Sequence, residues 1–178
     1  MKAPWMRRES ADGTKDDLVT RALLISIRPR FANAILDGSK TIELRRTMPT
    51  LPPAALAIIY SSSPTKALVG WATVEEIVQA TPHILWQMHQ HSTGVTSDEF
   101  MKYFAGRSDG YGLQLTAVRR AENEVSLAAL RTHGLEPPQS WRYIAADIAQ
   151  ALRRQMSDAT AAHSRLPFRH SDLTAVAG

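Results

Sequence analysis

The sequence predicts an α+β fold, a small mixed β-barrel with short peripheral helices and a helix at its C-terminal side. Three observations lead there. Short apolar runs of strand length recur through the first two thirds of the chain; segments with helix caps separate them; and a four-residue apolar period appears after residue 143. At 178 residues and 44% hydrophobic content the chain suffices for one domain with a core.

The elements follow in order. Residues 1–20 are polar, broken by Gly13 and the pair Asp16-Asp17, and read as a mobile leader. Ala22-Leu23-Leu24-Ile25-Ser26-Ile27 is a buried first strand, ended by Pro29, which also suits the first turn of a helix placing Phe31, Ala34 and Ile35 on one face. Gly38 is a left-handed helix stop. Thr41 to Arg46 alternates, with Ile42 and Leu44 on one side and Glu43 and Arg45 on the other, as in a half-buried strand. Leu56 to Tyr60 is a third strand, and Ala67 to Val78 a fourth, with Gly70 marking a bend, bulge or close backbone approach.

Thr81 caps a helix through Leu85 and Met88, and Thr96-Ser97-Asp98-Glu99 is a capping box for a second that turns Phe100 and Phe104 inward. Gly110 to Leu115 is the fifth strand, and Ser126 caps a short helix containing Leu127 and Leu130. Ile144, Ile148, Leu152 and Met156 then make a narrow helical stripe, to be covered by the barrel or by a second copy in a homodimer. The expected division is a leader at 1–20, a domain at 21–145 and a C-terminal helix with tail at 146–178.

Charge and residue usage narrow the chemistry. Lys and Arg total 21 against 17 Asp and Glu, a net charge of +4, which tilts toward a polyanionic partner. The absence of cysteine excludes disulfides, thiolate zinc sites and cysteine nucleophiles. No apolar run reaches membrane-spanning length, so a cytoplasmic protein without membrane contact is expected. His83, His89 and His91 have no acidic partner at metal-binding spacing, and no glycine-rich phosphate loop or nucleophile elbow occurs, so no metal and no cofactor is expected.

The segment Gly38-Ser39-Lys40-Thr41-Ile42-Glu43-Leu44-Arg45, directly after a strand and a helix, resembles the signature of the ASCH (activating signal cointegrator homology) domain, a relative of the PUA fold. Further matching segments follow in order: Tyr60-Ser61-Ser62-Ser63-Pro64, the Gly70 strand, the Pro82 to Trp86 helix, Gly110-Tyr111-Gly112, and Pro137 to Tyr143. Together they span roughly residues 22–145. The resemblance implies a PUA-like barrel with a cleft beside the motif, used for RNA or for a nucleotide or nucleoside. It also implies an alternative, a hydrolase of RNA or of an acylated nucleoside. The small acetylcytidine amidohydrolases share the glycine and lysine but carry threonine where this chain has Glu43.

Candidate site residues follow from this. Lys40 has the reach and charge to hold a phosphate. Glu43 and Arg45 share one strand face and either pair with each other or address a ligand together. Strict pleating puts Lys40 on the other face, so it joins Glu43 only if the strand begins with a twist or bulge. Tyr60, Ser61 and Ser62 form either a cradle for a phosphate or an ordinary polar turn. Tyr111 and Trp141 are stacking candidates, Ser140 and Arg142 flank Trp141, and Arg46 belongs with Arg28, Arg30, Arg45 and Lys66 to a basic surface. In the enzymatic alternative Lys40, Glu43 and Tyr60 are catalytic.

Overall fold

A computed structural model describes residues 21–158, Pro49 and Pro53 excepted, so the expected leader and most of the tail lie outside the described residues. Six strands form one sheet: β1 (Arg21–Ile27), β2 (Ile42–Arg45), β3 (Ala55–Ser61), β4 (Ala67–Ala80), β5 (Gly110–Ser126) and β6 (Trp141–Ala145). Their order is β2-β5-β4-β3-β1-β6. Only β1 and β3 run parallel; every other neighbouring pair is antiparallel. Five helices surround the sheet: α1 (Pro29–Leu36), α2 (Pro82–His89), α3 (Ser97–Tyr103), α4 (Leu127–Thr132) and α5 (Ala146–Ser157).

The α+β class holds, but the sheet is not closed into a barrel, because β2 and β6 lie at opposite ends of the hydrogen-bonded order. Its curl comes from β4 and β5. They run on past the end of β3 to where β5 also pairs with β2, and their mutual register slips at Leu68/Gly70, Trp71/Thr73 and Val74/Glu76. Each irregularity adds local twist and bend to the strands that carry it. Gly70 sits at the first slip, where an added Cβ would lie 2.3 Å from the Arg119 carbonyl oxygen and 2.6 Å from Leu36 Cδ2. The bend and the seating of α1 both require a residue without a side chain.

Three apolar clusters follow. Leu24, Ile58, Leu68, Val125 and Ile144 pack on one sheet face under α4 and α5, with Leu130, Leu152 and Met156 as the helical contribution. Leu23, Ile25, Ile59, Val69 and Leu113 pack on the other face with Ala32 and Ile35 of α1. Coverage of both faces explains why β1 reads as a continuous apolar run. Ile42 and Leu44 join Leu85, Phe100 and Phe104 of the α2–α3 region in a third cluster.

The predicted caps are in place: Thr81 accepts from Ile84 N, Thr96 and Glu99 form the reciprocal box, and Ser126 accepts from Ala129 N. Gly38 has φ +83° and ends α1 as its position predicts. The expected helix from Ile144 is corrected. Residues 141–145 pair with β1 as a sixth strand and the helix starts at Ala146, because the Ile144 side chain continues the sheet face on which Leu152 and Met156 pack. β5 is also longer than expected, reaching Ser126 through exposed charged residues that pair with β4. Among the described residues no helix is long and apolar enough to cross a membrane.

Replacing Gly70 with alanine should cost about 1–3 kcal/mol of unfolding free energy, since the Arg119 backbone cannot move without disturbing the β4–β5 pairing and Leu36 would have to shift in its seat on the sheet. Urea denaturation of the wild type and the variant checks this; an unchanged midpoint would show that the bend has room to spare.

Candidate functional site

The backbone leaves α1 through a tight turn in which the Asp37 carboxylate accepts from Ser39 N and Ser39 Oγ. Lys40 N then donates to Ala34 O, while Thr41 N and Ile42 N both donate to Ser92 O in the loop after α2. These bonds keep Lys40 and Thr41 outside the strand ladder, which begins at Ile42. The pleat that would separate Lys40 from Glu43 therefore does not apply to Lys40, and the two side chains meet.

Lys40 Nζ lies 3.2 Å from Glu43 Oε2, and Glu43 Oε1 lies 3.0 Å from Arg45 Nη2. Lys40 is only 2% exposed, and all of β2 is buried rather than half-buried as the alternation suggests. The reason is that α2 and α3 cover the Ile42 and Leu44 side, while Glu43 and Arg45 on the other side are enclosed by their bonds to Lys40, Ser26 and Ser140. An ammonium has three protons to donate, and Lys40 places them on Glu43, Ile42 O at 2.6 Å and Thr93 O at 2.6 Å. Burial lowers its pKa, and the Glu43 carboxylate opposes that shift. Lys40 thus has no donor left for a ligand; it fastens the 92–94 loop to the start of β2.

Arg45 reaches across the open side of the sheet. Its Nη2 donates to Ser26 O at 2.9 Å, and its Nη1 to Ser140 Oγ at 3.0 Å and Ser140 O at 3.3 Å. Ser26 and Ser140 are themselves joined, Ser26 N donating to Ser140 O. Beside this bridge Trp141 Nε1 donates to Thr47 O at 3.0 Å, and Tyr143 Oη donates to Thr50 O. Side chains therefore close the seam between the β2 and β6 ends that the backbone leaves open. Arg46 emerges at the seam's outer rim, exposed, with its guanidinium over the Tyr103 ring at 4.7 Å.

The remaining candidates are distributed over the sheet. Tyr111 lies opposite Arg45 in the β2–β5 ladder. Tyr60 belongs to the cluster under α4 and α5, on the face away from Lys40 and Glu43, and burial raises its pKa. Arg142 pairs with Leu24 and so projects from that same face, exposed. Ser61 is buried at the end of β3 and Ser62 N donates to Ile27 O, which makes this segment a strand terminus knitted to β1. The structure thus joins Lys40, Glu43, Arg45, Ser140, Trp141 and Arg46 along one path and leaves Tyr60 and Arg142 off it. Among the described residues no group of three or more His, Asp or Glu is arranged to hold a metal ion.

A model of the ASCH domain family matches residues 25–125 of the chain. The chain belongs to the ASCH domain family. An ASCH domain-containing ribonuclease of Zymomonas mobilis is 31% identical over 131 residues, covering 72% of this chain and 88% of the relative. A crystal structure of ASCH from Zymomonas mobilis superposes with a TM-score of 0.70 at 29% identity, over 74% of this chain and 92% of that one. Structures of two variants of that protein, a tyrosine-to-phenylalanine and a serine-to-alanine exchange, match with TM-scores of 0.70 and 0.69, each at 28% identity.

In this ASCH domain, sequence reasoning missed the contributions of Ser26, Thr47 and Thr93, which act through backbone carbonyls and leave no side-chain signal. It also missed Tyr103, whose position in a capped helix reads as ordinary. The adjacent rings Tyr103 and Phe104 followed by Arg107 are the signal available for that one.

Two outcomes test the site. Lys40→Met strands the Thr93 and Ile42 carbonyls and leaves Glu43 one cation short, so unfolding free energy should drop by about 3 kcal/mol, the cost of breaking a buried pair from one side; a loss near zero in denaturant titration contradicts the latch. The second concerns Arg30, whose Nη1 pairs with Glu99 at 2.7 Å and whose Nη2 reaches Gly94 O, bracing the same loop from outside. That pairing holds the Glu99 carboxyl at about 2 rather than 4.5. Since the folded value is the lower one, the link is fully present above the usual carboxylate range and is lost as pH falls through about 2. In an NMR titration Glu99 should move back up toward 4.5 in Arg30→Gln.

Proposed function

We propose that this protein binds single-stranded RNA along the seam between the sheet ends, at the rim carrying Arg46, Ser140 and Trp141. The observation that carries the reading is the seam itself. Arg45 is committed to fastening it from inside, while its outer edge offers a guanidinium on Arg46, a serine hydroxyl and a half-buried indole, the Trp141 indole bonding to the carbonyl of Thr47 next to Arg46. Phosphate contacts from arginine and stacking on an aromatic ring are the two elements that sequence-tolerant single-strand binding needs. The ribonuclease description of the Zymomonas relative favours an RNA substrate over a free nucleotide.

The same description supports a second step, cleavage of the bound phosphodiester. Ser140 is the group placed to take part: its Oγ accepts from Arg45, so its own proton remains free to donate toward a developing charge. Hydrolysis of an acylated nucleoside would need Lys40 or Glu43 to meet water, and the pairing of both is against it. Tyr60 lies on the other face and has no part in this reading. A homodimer through α5 has little support either, since Ala149, Leu152 and Met156 are buried against the chain's own sheet.

Fluorescence anisotropy with a labelled RNA 12-mer tests the binding. Wild type should bind with an affinity that falls as salt rises. Trp141→Leu should weaken it by roughly tenfold, the worth of one stacked base. Arg142→Gln, on the opposite face, should bind much as wild type does. On a gel, Ser140→Ala should slow cleavage of the same RNA by roughly tenfold or more, as loss of one oriented donor does. A wild type that shows no salt-dependent binding would end the proposal.

A further inference from the structure

We infer that Arg46, Tyr103 and Arg107 form a single-nucleotide subsite, with a base stacked on the Arg46 guanidinium and the adjoining phosphate held by Arg107. The inference rests on the RNA-binding reading above and extends it beyond the seam, to residues of α3 and of the loop that follows.

The geometry is specific. Arg46 lies over the Tyr103 ring, its carbon Cζ 4.7 Å from the ring centroid, and its Nε donates to Tyr103 O. The ring is fixed in turn by an edge-on contact with Phe104 at 4.9 Å and by its hydroxyl, which donates to Leu44 O at 3.4 Å. A guanidinium pinned to a ring on one side presents its other side as a flat, cationic surface, which is what a nucleobase stacks upon. Arg107 is fastened close by, its Nη2 donating to the Arg46 carbonyl at 2.9 Å.

The charge pattern supplies the second argument. Arg30 and Arg131, also exposed, each pair with a carboxylate, Glu99 and Glu136 respectively. Arg46 and Arg107 are instead anchored by backbone carbonyls, and among the described residues neither has a carboxylate partner. Both cations are held on one short stretch of surface, Arg107 by the Arg46 carbonyl and Arg46 by the Tyr103 carbonyl, and a phosphodiester would supply the counter-charge that neither has. Carbonyl anchoring orients both groups without neutralising either one.

Anisotropy with single-stranded RNA, repeated over a range of salt concentrations, separates the two roles. Arg107→Gln should reduce the magnitude of the log-log salt slope by about 0.7, the loss of one phosphate contact on a single strand. Arg46→Lys keeps the charge and removes the plane, so affinity should drop roughly fivefold or more with the slope preserved. If both variants bind as wild type while Trp141→Leu still weakens binding, the subsite is wrong and the seam stands. If wild type itself shows no salt-dependent binding, both fall.

Discussion

A sheet whose end strands do not pair must be held in its curl by something other than backbone hydrogen bonds, and here a buried guanidinium performs that task. Arg45 sits on one end strand and bonds to Ser26 and Ser140 at the other end. Lysine could not replace it, because a planar fork meets several acceptors at once where an ammonium is a point charge. Burying the guanidinium is costly, and the cost is offset by Glu43, which shares its second oxygen with Lys40. The motif residues are thus three links of one chain that runs from the loop after α2 to the start of β6.

This arrangement changes how the motif relates to function. Lys40 and Glu43 look, as residue types, like groups that meet a ligand, yet their donors and acceptors are turned on each other and on the backbone. Their effect on the surface is indirect. Through Arg45 they tie β2 to the start of β6 and so help fix where Arg46, Ser140 and Trp141 stand relative to one another. Placement of a site by buried, hydrogen-bonded neighbours is a general requirement of recognition, although here Arg45 Nε is buried without a partner among the described residues.

Much of the fold was legible because local signals agreed with one another. The β1 run, the Thr96–Glu99 box and the Gly38 stop each rest on a few adjacent residues. Closure was not legible, since it depends on where the bulges in β4 and β5 fall and on one side chain crossing from residue 45 to residue 140. β6 was hidden for a related reason: Ile144 fits the helical period of Ile148, Leu152 and Met156, and only pairing with β1 makes it a strand residue. At the site, the motif singled out Lys40, Glu43 and Arg45. It could not show that they matter to one another, because the bend that unites them is fixed by carbonyls of residues 34 and 92.

The placement of α5 bears on how the protein is made. This helix follows all six strands in the chain, yet it covers the face formed by Leu24, Ile58 and Leu68. During synthesis the strands and α4 leave the ribosome first, so the part of that face that packs against Leu152 and Met156 is bare until residues 146–157 have cleared the exit tunnel. Translation therefore includes an interval in which a paired sheet shows greasy surface to the cell, the condition that recruits chaperones and favours association between nascent copies.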